Sequence, residues 1–362
     1  MAGQPSAGST AAGRGGAGST AAGRGGAGST AAGSGGAGTA GMMAAGSGAA
    51  GAAGSAGAAG ATTAGSGGGG SGGSAGAAGA AGAAGAAGGG DPGSGDCGKD
   101  AWACRGPAPT MASALGTAKG PYATMSYTSG MRNGPSYGAA TMYYPTGDAK
   151  PPFGCVTVVP GFTALQSSIR DWGPFLASHG IVTMTIDTNT TSDPPQTRAM
   201  ALMDALMTCA AENDRMGSPL MGKLATDHQG VSGWSMGGGG TLIAASGNPK
   251  LKAAVSFAAW GPTGGSQNKV PVLMFEATAD PLAAGMSDSF YAGTSNDVPK
   301  MLFEVSGGSH NVANSPRNSS GIIGLYGLSW WKVFMEGDQR YKQFLTAPKP
   351  SITTNKFATN VK

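Results

Sequence analysis

The sequence predicts an α/β fold over residues 96–362, with a mostly parallel central sheet flanked by helices on both faces. Three observations carry that prediction. Several short runs are apolar throughout instead of alternating, as strands buried on both sides are. Segments with helical spacing separate them, as crossovers between parallel strands require. One junction between an apolar run and a helix-compatible stretch, Gly233-Trp234-Ser235-Met236-Gly237, is built of the small residues a sharp turn needs.

The elements follow in order. Residues 123–128 and 140–144 are rich in Thr, Tyr and Met with alternation, and read as strands. Residues 155–159, Cys-Val-Thr-Val-Val, form a continuous apolar strand ended by Pro160-Gly161. Residues 168–178 read as a helix stopped by Gly180, and 181–186 as another buried strand. Residues 195–213 place Met and Leu at helical spacing with Pro195 at the start, where a missing N–H is harmless. Around Val231 lies the strand that enters the turn, and 237–246 is the small-residue helix that leaves it. Strands at 253–257, 272–276 and 301–305 and a helix at 321–335 complete the pattern.

Residues 1–95 differ in kind. They contain no Val, Ile, Leu, Phe, Trp or Tyr, so nothing there can build a core to offset backbone entropy. The decapeptide Ala-Gly-Ser-Thr-Ala-Ala-Gly-Arg-Gly-Gly begins at Ala7, recurs at Ala17, and returns at Ala27 with Ser34 in place of Arg. This half is expected to be a disordered Gly/Ala/Ser tether. Collagen's period, Gly at every third position from Gly73 to Gly88, runs there without proline. Silk-like stacking is the other rival.

The whole chain of 362 residues carries a net charge of +4, without basic runs interleaved with aromatics, so nucleic acid is not an expected partner. No run of about 18 apolar residues is present, so no transmembrane segment is expected. The first residues lack the charged and apolar regions of a signal peptide. A long small-residue leader before a catalytic domain nevertheless fits a secreted or surface-tethered protein, and that location is expected. Of the four cysteines, Cys97 and Cys104 are close enough for a local disulfide; Cys155 and Cys209 are either a second pair or two buried thiols. There is no C-x-x-C and no histidine near a cysteine pair, so no metal site is expected.

The chemistry begins at Ser235. G-x-S-x-G alone is weak in a chain with 69 glycines, and it arises twice by chance, at 69–73 and 72–76. Only the copy around Ser235 lies between a strand and a helix, the setting of the nucleophile elbow of an α/β-hydrolase fold. That fold orders its residues Ser, then acid, then His along the chain. Three histidines are available. His179, at the end of a helix, reads as a polar or charged C-cap. His228 enters the elbow strand from the wrong end of the sheet and reads as a surface residue. His310, on the Gly-rich loop Gly307-Gly-Ser-His310 after a strand, is the expected base. The acid is Asp280, just beyond the strand at 272–276, where sites of such sheets collect. Glu276 is the runner-up, with a structural role expected because it lies within the strand, while Asp288 and Asp297 read as solvated. Two backbone N–H groups must hold an oxyanion. Met236, next to the nucleophile, and Phe162, on the loop after the first buried strand, are the candidates.

With these residues in place, the chain resembles the bacterial cutinase and poly(ethylene terephthalate) hydrolase family over nearly all of 108–345. The matching stretches are Val159-Pro-Gly-Phe-Thr-Ala-Leu-Gln-Ser-Ser-Ile169, Trp172-Gly-Pro-Phe-Leu-Ala-Ser-His-Gly180, Thr185-Ile-Asp-Thr-Asn189, Gly233-Trp-Ser-Met-Gly-Gly-Gly-Gly240 and Gly307-Gly-Ser-His310. The resemblance implies a serine carboxylic-ester hydrolase acting through an acyl-enzyme, with Ser235, His310 and Asp280 as triad and Phe162 and Met236 as oxyanion donors. It implies that Phe162 and Trp260 take an aromatic ring of the substrate, with Trp234, Asn311 and Asn314 lining the same cleft. No cofactor is implied, the partner is a polyester or other ester substrate, and a monomer is expected. The resemblance also implies a departure: the disulfide that some polyester hydrolases have between acid and base loops is absent, since Ala277 and Val312 stand in that neighbourhood, and no cysteine follows Cys209 to make the family's usual C-terminal bridge. Each absent bridge forgoes about 2–4 kcal/mol, which Cys155 with Cys209 could offset. The rival readings are a lipase or short-chain acylesterase, and a structural surface protein carrying an inert hydrolase fold.

Overall fold

The computed structural model describes residues 104–261, 264–346, 348 and 354–362. The reading of residues 1–95 and the pairing of Cys97 with Cys104 lie outside the described residues.

The elements run α1 (Met111–Ala114), β1 (Ala123–Tyr127), β2 (Ala140–Thr146), β3 (Phe153–Val159), α2 (Trp172–Ser178), β4 (Val182–Ile186), α3 (Pro195–Ala211), β5 (Leu224–Trp234) and α4 (Met236–Gly247). They continue β6 (Ala253–Phe257), β7 (Val272–Ala277), α5 (Asp288–Gly293), β8 (Lys300–Val305), α6 (Ile322–Phe334) and β9 (Thr354–Thr359). One sheet joins the strands in the order β1-β2-β4-β3-β5-β6-β7-β8-β9. From β4 to β8 every neighbour is parallel; β1, β2 and β9 are added antiparallel at the edges. This is the mostly parallel sheet that the apolar runs predicted.

Strand period divides the core into two layers. Val156 and Val158 of β3, Val255 and Phe257 of β6, and Leu273 and Phe275 of β7 face α2 and α6. Cys155 and Val159, Ala254, and Val272 and Met274 face α3 and α4 on the other side. In the first layer Trp172 stacks on Phe257 with centroids 4.7 Å apart, and its indole N–H donates to the Ala313 carbonyl at 3.0 Å. In the second, Cys155 and Cys209 form a disulfide between β3 and α3, which resolves the pairing the sequence left open.

Two expected elements shift. The helix at 168–178 starts only at Trp172, preceded by a 3-10 turn over Gln166–Ser168. Pro174 is the reason: it has no N–H to donate, so it is tolerated in a first turn and not in the interior that an earlier start would create. At 321–335 the helix begins at Ile322, because Gly321 sits at φ 86° as its N-cap.

His179 is the C-cap of α2 but not a charged one. It is 3% exposed, its Nε2 has no hydrogen-bond partner among the described residues, and its ring meets the edge of Phe175 at 5.0 Å. Burial, assisted by the nearby Lys332 ammonium, lowers its pKa from 6.5 to about 3, so the folded state holds it neutral. Below about pH 6.5 the unfolded chain takes up a proton here that the native state refuses, so stability falls as the pH drops from 6.5 toward 3. Going from pH 7 to pH 5 is expected to remove about 2 kcal/mol through this group. Urea unfolding of His179→Phe should show a flatter acid-side slope; an unchanged slope would assign the acid sensitivity elsewhere.

Candidate active site

Parallel strands deliver their C-terminal ends to one edge of the sheet, and the predicted site residues all leave from that edge. Phe162 follows β3, Ser235 follows β5, Trp260 follows β6, Asp280 follows β7 and His310 follows β8.

Ser235 occupies the single residue between β5 and α4, at φ 58°, ψ −121°. A non-glycine residue in that region is strained by about 1–3 kcal/mol and persists only where its surroundings over-determine it. Here they do. The Ser235 N–H donates to the Phe257 carbonyl at 2.9 Å, and its carbonyl accepts from Gly239 and Trp260, both at 2.9 Å. The turn also depends on missing side chains. A Cβ on Gly161 would lie 2.7 Å from the Ser235 Cβ, and one on Gly237 would lie 2.5 Å from the carbonyl oxygens of Val159 and Pro160.

The Ser235 hydroxyl stands 2.8 Å from His310 Nε2, and His310 Nδ1 stands 2.8 Å from Asp280 Oδ2. The other carboxylate oxygen, Oδ1, accepts the N–H groups of Leu282 at 2.8 Å and Ala283 at 3.0 Å. A carboxylate only accepts, so Nδ1 carries the proton, and Nε2 is left to accept the Ser235 O–H. The Asp280 side chain is 1% exposed and the His310 side chain 14%: the line runs from the interior to the surface. Such a line can draw a proton from the serine and return it to a leaving group.

Neither the Phe162 nor the Met236 N–H donates to an acceptor among the described residues. Met236 is the first residue of α4, whose opening N–H groups have no intrahelical partner. Phe162 and Trp260 are 50% and 36% exposed, unusual for aromatics of that size. Asn311 lies exposed on the loop after His310, whereas Asn314 Oδ1 accepts from Asn318 Nδ2 at 3.1 Å. Trp234 makes a contact that its place in the motif does not reveal. Its indole N–H donates to the His310 carbonyl at 2.8 Å and its ring lies 5.3 Å from the imidazole, so it braces the histidine loop from below.

The remaining candidates lie elsewhere. His228 is on β5, seven residues before Ser235, with Nδ1 2.9 Å from Asp227 Oδ1. Glu276 is buried in β7 and accepts the Ser287 N–H at 2.5 Å; burial raises its pKa. Asp288 opens α5 and pairs with Lys356 rather than standing free in solvent. Asp297 lies in an exposed turn, where its carboxylate accepts from the Ser295 hydroxyl at 3.4 Å. Ala277 and Val312 are both buried and lie beside Gly308.

A parallel-rich sheet with a serine held at positive φ on a strand-to-helix turn defines an α/β-hydrolase. The family model described as PET hydrolase-like matches residues 98–361. The chain is 38% identical over 260 residues to a bis(hydroxyethyl) terephthalate hydrolase of Streptomyces coelicolor, covering 71% of this chain and 81% of that one. It is 37% identical over 244 residues to cutinase 2 of Thermobifida cellulosilytica and to cutinase cut1 of Thermobifida fusca. Each alignment spans 67% of this chain, with 90% and 74% of the relatives covered. The chain belongs to the PET hydrolase-like family, and it is an ester hydrolase of the cutinase type.

Proposed function

We propose that this hydrolase cleaves polyesters, poly(ethylene terephthalate) among them, through an acyl-enzyme on Ser235. The observation that carries the reading is the continuous line Ser235–His310–Asp280, two contacts of 2.8 Å each, ending on a serine at strained φ. Ser235 Oγ attacks the ester carbonyl carbon while His310 Nε2 takes its proton. The tetrahedral oxyanion is held by the Phe162 and Met236 N–H groups. Collapse expels the alkoxide, which leaves with the proton from His310. Water then attacks the acyl-enzyme with His310 as base, releasing the acid and restoring Ser235. Asp280 holds the imidazole tautomer and stabilises the imidazolium.

The substrate class rests on the half-exposed aromatics. Phe162 and Trp260 are half-exposed on the loops after β3 and β6, on the edge that carries Ser235, and their apolar rings suit stacking on an aromatic ring of an extended chain; in this reading Asn311 and Asn314 line the same cleft. The relative that acts on bis(hydroxyethyl) terephthalate lends weight to an aromatic acyl group. In the same reading the protein works outside the cell, as a monomer, with residues 1–95 as its tether and 96–362 as its catalytic domain. No helix among the described residues is long and apolar enough to cross a membrane.

The test is product release from amorphous poly(ethylene terephthalate) film beside hydrolysis of a soluble short-chain nitrophenyl ester, for the full chain and for a chain lacking residues 1–95. Terephthalate-type products are expected from the film, with equal soluble-ester turnover in both chains. Turnover of the soluble ester alone would move the substrate to aliphatic esters or lipids. Loss of soluble-ester turnover on truncation would refute the tether.

A further inference from the structure

Arg198 is among the largest wholly buried side chains, and among the described residues it bonds to no carboxylate. Its guanidinium instead donates to three backbone carbonyls: Nη1 to Pro160 at 2.9 Å, Nη2 to Thr191 at 2.8 Å and Nε to Asp193 at 2.8 Å. A fourth contact reaches the Thr188 hydroxyl at 3.4 Å. Burial pulls its pKa down to about 10, with Asp193 opposing. A buried cation held mainly by carbonyl dipoles is an expensive way to hold a loop together, and the position of that loop says what it is for.

Pro160 begins the turn that presents Phe162. The Pro160 carbonyl is fixed on one side by Arg198 and crowded on the other by Gly237 of the elbow helix, where a Cβ would lie 2.5 Å away. The next peptide has its Gly161 carbonyl bonded by the Ala164 N–H at 3.2 Å. A trans peptide points its N–H opposite its carbonyl, so the Phe162 N–H faces away from the turn. The peptide after Phe162 is held by the Thr163 N–H, which donates at 2.8 Å to Thr191, the same carbonyl that Arg198 grips. Thr163 sits at φ 57°, strained like Ser235. Of the three consecutive peptide planes that set the direction of the Phe162 N–H, Arg198 holds the first directly and the third through Thr191.

We infer that Arg198 is a positioning residue for the oxyanion donor: it aims the Phe162 N–H by locking the loop after β3 onto the loop after β4. The inference rests on the proposed role of Phe162. Removing an oxyanion donor outright lowers kcat by about 100-fold to 1000-fold, and a displaced donor should lose less. Arg198→Met is expected to lower kcat for a soluble nitrophenyl ester by about 30-fold with KM within about twofold, and to weaken a boronic acid that forms a tetrahedral adduct on Ser235 by a similar factor. A role in stability alone would lower the melting temperature and leave both quantities unchanged per folded molecule. Should Arg198→Met fail to fold, Asp193→Ala keeps the test. Asp193 accepts from the Thr190 N–H and hydroxyl at 3.2 and 2.6 Å in a surface turn, and its loss slackens the segment that presents the Thr191 carbonyl. It is expected to lower kcat and adduct affinity about fivefold together. Parent-like kcat and adduct affinity in whichever variant folds would overturn the inference while the serine mechanism stood. Equal turnover by parent and Ser235→Ala would overturn the mechanism itself, and the inference with it.

Discussion

Ser235→Ala is expected to reduce ester turnover by about four orders of magnitude or more, with the fold intact. The magnitude follows from what the hydroxyl does in the proposed reaction. Without it no acyl-enzyme forms, and what remains is the rate acceleration left when a triad loses its nucleophile. In barrier terms a loss of 10,000-fold is about 5.5 kcal/mol. The fold should not notice, because Ala keeps the Cβ that makes φ 58° costly and keeps the backbone bonds to Phe257, Gly239 and Trp260. Steady-state kinetics on a nitrophenyl ester, paired with a thermal melt, separates the two effects. Melting within about 2 °C of the parent with turnover at background is the expected pair of results. Undiminished turnover in the purified variant would remove Ser235 from the mechanism.

Replacing both Cys155 and Cys209 by Ala is expected to cost about 4 kcal/mol of stability. The bridge closes a loop with a sequence separation of 54, and chain entropy for a loop of that size gives about 4 kcal/mol at room temperature. In a domain of this length that corresponds to a fall in melting temperature of about 10 °C. The bridge also fastens the same two elements that Arg198 joins at their other end: Cys209 and Arg198 lie on α3, and their partners Cys155 and Pro160 lie on or just after β3. Guanidinium unfolding of the double variant measures the loss. A midpoint shift below about 2 °C in the companion melt would mean that the reduced chain is held just as well by packing.

Much of the fold was legible in the chain because its strands are buried on both faces. β3, β4, β6, β7 and β8 are buried at every position, and apart from Ser and Thr residues and the charges at Glu276, Lys300 and Glu304 their sequences are runs of apolar residues between turn signals, as strands covered on both faces are. The candidate triad was legible for a different reason. A nucleophile elbow imposes chain order on its partners, so Asp280 and His310 could be chosen from several carboxylates and three histidines before any distance was known. β9 escaped because Thr354–Thr359 is no more apolar than a loop and becomes a strand only by pairing antiparallel with β8. α1 and α5, of four and six residues, are too short to show a period. The charge state of His179 and the ion pair of Asp288 with Lys356 were not legible either, since both depend on neighbours distant in the chain.

By itself the sequence determined the class: the main buried strands and longer helices, the strand-to-helix turn at Ser235, and the type and order of the candidate residues around it. These are local properties, set by side-chain period, by the steric freedom of glycine, and by which functional groups can act as nucleophile, base and acid. Only the tertiary structure decided the order of strands across the sheet, the union of Cys155 with Cys209, the turning of Trp234 toward His310, and the burial of Arg198 against Pro160 and Thr191. Each of those is a contact between segments tens of residues apart, or between loops that meet only once the parallel strands have brought their ends to one edge. No periodicity records such a contact, because the energy that selects it does not exist until the core has formed.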